Sequence, residues 1–316
     1  MNRPELKTIS EFTDYVIRGL SDKLPSSLMA ETEIRQMEVT KLNDTVLHGI
    51  TFEQEGEDIA PTFYLDDPYK DYLEGEDPEV IITELAKCYL ISLVAPKATI
   101  PLDPDFVTIK DHLALRVVNT NFNKAFLEGI PYRPVGFDLA LICDIKMDDG
   151  LGGCWRAHVH SSFLDGESEE TLFDHALANV RNIDPPVLRT TFLSSDPEQS
   201  VTNLLKSNRR IRNSEKESMY VVTTEGGYYG ASAFFYPGIM KEVAEKLGES
   251  YYAIPSSVHE FIIIPVSSSP QVQVLQMILK EGNETPGCYE DRISEDVLYY
   301  DQETNILSIA SDCRRS

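Results

Sequence analysis

An α+β fold, built mostly from antiparallel sheet with flanking helices, is predicted by three features of the 316-residue sequence. Strands come in pairs joined by short polar turns, and amphipathic helices separate these pairs instead of alternating with single strands. An approximate strand, helix, strand, strand, helix order runs over residues 113–182 and again over 220–279, which suggests a duplicated β-α-β-β-α module carried by element order, with no residue-level identity behind it.

The elements follow in order. Leu6, Ile9, Phe12, Val16 and Leu20 recur at mostly three- and four-residue spacing, so residues 6–20 predict an amphipathic helix that ends before Pro25. From Glu33 the apolar positions alternate through Ile34, Met37 and Val39, turn at Asn43-Asp44 and resume at Val46, Leu47, Ile50 and Phe52, predicting a hairpin. A third strand over Thr62–Leu65 follows the Glu55-Gly56 turn, and helices are predicted over Tyr69–Leu73 and Val80–Leu93, the second with Pro78 just before its start. Pro96, Pro101 and Pro104 forbid a regular element over 95–105 and mark a boundary.

Beyond it the sequence predicts a strand at Leu113–Val118, a short helix at Asn121–Leu127, a hairpin pairing Phe137–Ile145 with Trp155–His160 across Asp148-Asp149-Gly150, and a helix over Ser168–Asn182 with Ser168 as its N-cap. A strand Val187–Phe192, a short helix Gln199–Leu205 and an exposed polar connector 206–218 come next, the connector carrying Lys206, Arg209, Arg210 and Arg212. The last third gives a strand Tyr220–Thr223, a helix Pro237–Leu247, a hairpin of Tyr251–Ile254 with Val258–Ile264, a helix Gln271–Leu279 and a hairpin of Val297–Tyr300 with Ile306–Ile309. Residues 231–236 fit either an extra strand or a helical turn. Three units are expected: an N-terminal α-β-β-β-α unit over 1–100, a central module with its connector over 101–218, and a C-terminal module over 219–316.

Composition narrows the function classes. The 52 acidic and 28 basic side chains give a net charge of -24, and every third of the chain is negative, so neither nucleic acid nor an anionic membrane is expected as a partner. Five scattered cysteines fit free thiols in a reducing compartment better than a disulfide framework, and no apolar run is long enough for a spanning helix or a signal core; a cytoplasmic location is expected.

Several constellations carry chemistry. Ile254-Pro-Ser-Ser-Val-His-Glu260 sets Ser256, Ser257, His259 and Glu260 at a turn between apolar strands, where a Ser-His pair would act as nucleophile and base. Strand alternation puts Ser257 and His259 on one face and Glu260 on the other, so the acid cannot easily orient the histidine, and no Gly-x-Ser-x-Gly elbow surrounds either serine; serines bonding their own turn are the plainer reading. Alternation puts Cys154, His158 and His160 on one strand face, with His175 on the next helix, which gives a zinc protein as a third reading, but their spacing matches no closed zinc motif and no metal or cofactor is expected. Glu225-Gly-Gly-Tyr-Tyr-Gly230 lacks the spacing and the lysine of a phosphate loop; it is expected to be a flexible loop presenting Tyr228 and Tyr229 at a binding surface. Asp66-Asp67 and Asp148-Asp149-Gly150 are turn chemistry, and Ile239, Met240, Val243 and Leu247 are helix core.

The string from Tyr220-Val-Val-Thr-Thr through Gly230-Ala231, Met240 to Gly248, Ile254-Pro-Ser-Ser-Val-His-Glu260 and Ile263-Ile-Pro265 resembles an uncharacterised bacterial domain-of-unknown-function family. The N-terminal helix, Val46-Leu-His-Gly49 and Ala60-Pro-Thr-Phe-Tyr-Leu65 fit the same resemblance, and the order of elements is more distantly similar to YtpQ-like proteins. The resemblance implies bacterial origin, a cytoplasmic setting and no assigned activity. Taken together, a non-enzymatic protein that binds a protein or small molecule through Tyr228, Tyr229 and the Ser256–Glu260 turn is expected, with a hydrolase using Ser256 or Ser257 and His259 as the alternative.

Overall fold

The computed structural model describes residues 4–56, 60–94, 105–148, 154–190, 202–207, 209–212, 217–285 and 289–311. Cys288, Cys313, the three boundary prolines, Asp149, Gly150 and the start of the expected helix at Gln199 lie outside them. The chain divides into two compact units, residues 1–102 and 103–316.

In the first unit, α1 (Ile9–Lys23) starts where the Thr8 hydroxyl accepts the N–H of Glu11, and its stripe of Phe12, Val16 and Leu20 is buried. A short helix, α2 (Ser26–Met29), leads into a hairpin of β1 (Thr32–Thr40) and β2 (Val46–Gln54), whose turn uses Asn43 and Asp44 at φ of 58° and 50°. Asn and Asp tolerate this left-handed backbone better than most residues, which is why they sit there. Strand β3 (Thr62–Tyr64) completes an antiparallel sheet of order β1-β2-β3. Helices α3 (Asp66–Glu74) and α4 (Pro78–Ser92) follow. Pro78 is the first residue of α4 and not its flank, because Asp77 caps the helix by accepting the N–H of Glu79 and a proline at the first position has no bond to lose. Phe52 and Tyr89 stack at 3.8 Å in the core between sheet and helices.

The second unit opens with α5 (Phe106–Ile109) and holds two sheets. One joins β4 (Leu113–Asn119), β5 (Tyr132–Gly136), β6 (Leu139–Asp148) and β7 (Cys154–His158): β6 pairs with β4 along one edge and with β5 and then β7 along the other. Helix α6 (Glu169–Ile183) packs on β4 and β6 with Leu172, Phe173, Ala176 and Val180, capped by a Ser168 hydroxyl that accepts the N–H of Thr171. Ser168→Ala is expected to cost about 1 kcal/mol, read as a lower urea midpoint at an unchanged slope.

The other sheet contains β8 (Pro186–Thr190), β9 (Tyr220–Thr224), β10 (Tyr251–Ser257), β11 (Glu260–Pro265), β12 (Leu298–Asp301) and β13 (Ile306–Ile309), ordered β13-β12-β10-β11-β9-β8. Helix α7 (Ile239–Leu247) follows a 3₁₀ segment at Gly230–Phe235, so residues 231–235 are helical and Tyr236 is the extended C-cap, and α8 (Val272–Asn283) packs on β10. The strand orders β4-β6-β5 and β9-β11-β10 are alike, with the hairpin β5–β6 in the place of β10–β11, whereas the expected hairpin of the central module is β6–β7.

Two local readings are corrected. Asn121–Leu127 forms turns instead of a helix: the Asn119 carboxamide accepts the N–H groups of Asn121 and Phe122, and the Asn123 carboxamide donates to the Asn119 carbonyl, so side chains take the backbone's hydrogen bonds. Strand β5, unforeseen because Pro131 and Pro134 break its pattern, stands at a sheet edge with a register shift between Pro134 and Gly136, where proline is tolerated.

Candidate functional site

The site lies in the second unit, where the β4-β6-β7 surface meets the loop after β9. Alternation along β6 turns Leu141, Cys143 and Ile145 to one face and Ile142, Asp144 and Lys146 to the other, and the second set shares its face with Arg116 of β4 and Arg156 of β7. The charges collect into one network. Asp144 Oδ2 accepts Arg116 Nε at 2.8 Å and Nη2 at 2.7 Å, and lies 3.8 Å from Arg156 Nη1. Asp184, at the C-terminal end of α6, accepts from Arg156 Nη2 and Lys146 Nζ. Arg116, Arg156 and both aspartates are at least nine-tenths buried.

Tyr229 roofs this network, its ring centred 3.6 Å from the Arg116 guanidinium and 5.8 Å from that of Arg156. Two features place it. Its own backbone is left-handed, φ 55°, an uncommon conformation for a tyrosine, and Gly230 lets the chain press so close that a Cβ there would lie 2.8 Å from the His259 carbonyl. The outer face of the tyrosine pair meets the His259 ring, 5.6 Å from Tyr229 and 5.3 Å from Tyr228 between centroids, so guanidinium, phenol and imidazole form one stack.

His259 sits in the β10–β11 turn. Its Nδ1 accepts the N–H of Tyr229 at 3.0 Å, Nε2 lies 3.5 Å from Asp291 Oδ1, and its carbonyl accepts the Thr223 hydroxyl at 2.8 Å. Strand β10 runs on to Ser257 through a register shift at Pro255–Ser257, so the turn residues are Val258 and His259. The Ser257 hydroxyl accepts the N–H of His259, Ser256 is exposed, and Glu260 points toward Arg189 at 3.9 Å. The structure thus brings Tyr228, Tyr229 and His259 together, while the imidazole nitrogens face a backbone N–H and a carboxylate.

A short segment ties the two sheets. Asp291 O accepts the N–H of Val258 in the β10–β11 turn, Ile293 O accepts from the Asn119 carboxamide, and the Ser294 hydroxyl donates to Asp138 in the β5–β6 turn. Asp138 also accepts from Asn119, and its carbonyl takes the N–H of Thr120, mirroring how His259 is held by Thr223 and Tyr229.

The residues once grouped by their metal-ligand chemistry have other occupations. His158 packs on Phe126, His175 on Phe106, His160 pairs with Ser162, and Cys154 is exposed. Among the described residues no group of three His, Cys, Asp or Glu side chains is arranged to hold a metal ion. Asp66 opens α3, where it accepts both the N–H and the ring Nδ1 of His48.

The family of unknown function DUF5688 matches residues 9–302. The chain belongs to this family. No curated protein and no solved structure matches it. Among the described residues of this DUF5688 chain, no helix is long and apolar enough to cross a membrane.

Burial pushes the Tyr229 hydroxyl up to about 12, against the pull of the Arg116 guanidinium. A phenol whose folded-state value is raised above 10.0 contributes stability that is complete below the unfolded value and is lost as pH rises through the folded one. Alkaline unfolding followed by tyrosinate absorbance is therefore expected to show a loss of stability between pH 10.0 and about 12 that Tyr229→Phe reduces.

Proposed function

We propose that this protein is a non-enzymatic binding protein whose partner docks on the face formed by Tyr228, Tyr229 and His259. The observation that carries this reading is that Tyr228 is 54% exposed yet rests on rings fixed from beneath by Arg116 and from the side by His259. An aromatic surface that is already ordered loses little entropy on binding and is the type of residue on which interface energy concentrates. The half-exposed Asp291 beside it and the net charge of -24 favour a partner that brings basic side chains.

Binding is favoured over hydrolysis because the Ser257 hydroxyl is spent on the backbone of its own turn and His259 Nδ1 on the backbone of Tyr229. The free thiols of Cys88, Cys143 and Cys154 support a reducing, cytoplasmic setting.

Affinity capture from the source organism, comparing the wild type with Tyr228→Ala and with Ile306→Ala on the distant β13 strand, tests the reading. The expected result is a partner lost with Tyr228→Ala but kept with Ile306→Ala, and purified partner binding weaker by about 2 kcal/mol. Identical capture by all three proteins would overturn it.

A further inference from the structure

We propose that the buried ionic network beneath Tyr229 is a binding site for one small protonated oxyanion. The hydrogen-bond inventory is incomplete in a specific way. Asp184 uses both oxygens, but Asp144 carries its two Arg116 bonds on Oδ2 alone; among the described residues Oδ1 has no hydrogen-bond partner. Arg156 Nε and Nη1 likewise donate to nothing among the described residues, although its side chain is only 3% exposed. Buried polar groups are satisfied in the great majority of proteins, and one left unpaired points to an absent water, ion or ligand.

Charge and donor pattern together select among these. Arg116, Lys146 and Arg156 face two carboxylates, leaving one formal positive charge in a site largely shielded from water. The occupant has to accept N–H from Arg156, donate to Asp144 Oδ1 and carry a single negative charge. Water meets the first two needs and lacks the charge; chloride has the charge and cannot donate. A monoanionic oxyanion that keeps at least one O–H, in the manner of hydrogencarbonate or dihydrogen phosphate, meets all three. Because the unpaired atoms are shut off from solvent, the ligand is small and enters when the Tyr229 ring turns aside on its loop next to Gly226, Gly227 and Gly230.

Calorimetric titration and thermal unfolding of the full chain at neutral pH, with sodium phosphate and sodium hydrogencarbonate each compared with sodium chloride at matched ionic strength, separate the sources of the anion. One of the two oxyanions is expected to bind saturably at one site and raise Tm by about 5 °C when present at about one hundred times its Kd, with chloride inert. Arg156→Lys keeps the charge and the contact to Asp184 but lacks the Nε donor, and is expected to bind roughly tenfold more weakly. Should that variant fold poorly, Tyr229→Ala decides, since removing the roof is expected to speed anion dissociation by about tenfold. Absence of saturable binding by either oxyanion, an equal response to chloride, unchanged affinity in a folded Arg156→Lys protein, or an unchanged dissociation rate in Tyr229→Ala would each overturn the proposal.

Discussion

Asp144→Ala is expected to destabilise the protein by about 3–5 kcal/mol, because it strips the buried Arg116 guanidinium of the one carboxylate it pairs with among the described residues and leaves that charge uncompensated. Arg116 donates twice to Asp144 Oδ2 in a setting where the aspartate side chain is 0% exposed, so neither water nor a rotamer change can replace the partner. For a chain of this size the loss corresponds to a fall in Tm of roughly 10 °C. The companion variant Arg116→Met with Asp144→Leu removes both charges together and is expected to recover much of the loss, since an apolar pair of similar volume often equals a buried ion pair. Urea unfolding of the three proteins measures both effects, and a change under about 1 kcal/mol for the single variant would contradict the burial argument.

Gly230→Ala is expected to be almost as damaging, on the order of 3 kcal/mol, for a steric reason. The new Cβ would meet Thr223 Oγ1 at 2.2 Å, the Thr224 nitrogen at 2.7 Å and the His259 carbonyl oxygen at 2.8 Å. A threonine can rotate, but the other two are backbone atoms of β9 and of the β10–β11 turn. The loop would have to lift, separating the Tyr229 N–H from His259 Nδ1 and exposing the phenol. Tyrosinate titration of this variant is therefore expected to move Tyr229 from about 12 back toward 10.0. Gly226→Ala, whose added Cβ meets nothing within 4 Å, is the control and is expected to change stability by no more than about 0.5 kcal/mol.

The legible parts of this fold were those with a local cause. Hairpins such as β1–β2 and β12–β13 show period-two alternation around short turns, and α6 shows its cap and stripe within one stretch of sequence. Where side chains compete with the backbone, as Asn119 and Asn123 do, helical spacing misleads, and where prolines sit on an edge, as in β5, a strand hides. The site divides in the same way. Tyr228, Tyr229 and His259 stand out as residue types in turns, but their contact joins positions 30 residues apart and depends on how β9 and β11 pair. Arg116, Asp144, Lys146 and Arg156 belong to no motif and look in sequence like any other charges. The available signal was their place inside otherwise apolar strands, where an unpaired charge is costly and so implies a partner on the same face.

The segment from Asp291 to Ser294 holds the β10–β11 turn at one end and the β5–β6 turn at the other. Its consequence concerns the order in which the unit opens. Neither turn can let go without disturbing the strap that grips its counterpart, so the amide protons of Val258 and Thr120, on opposite sheets, are expected to exchange with solvent through one shared opening event. Ser294→Ala, which cuts the strap at the Asp138 end alone, is expected to split that event in two, with Thr120 exchanging sooner and Val258 keeping its protection.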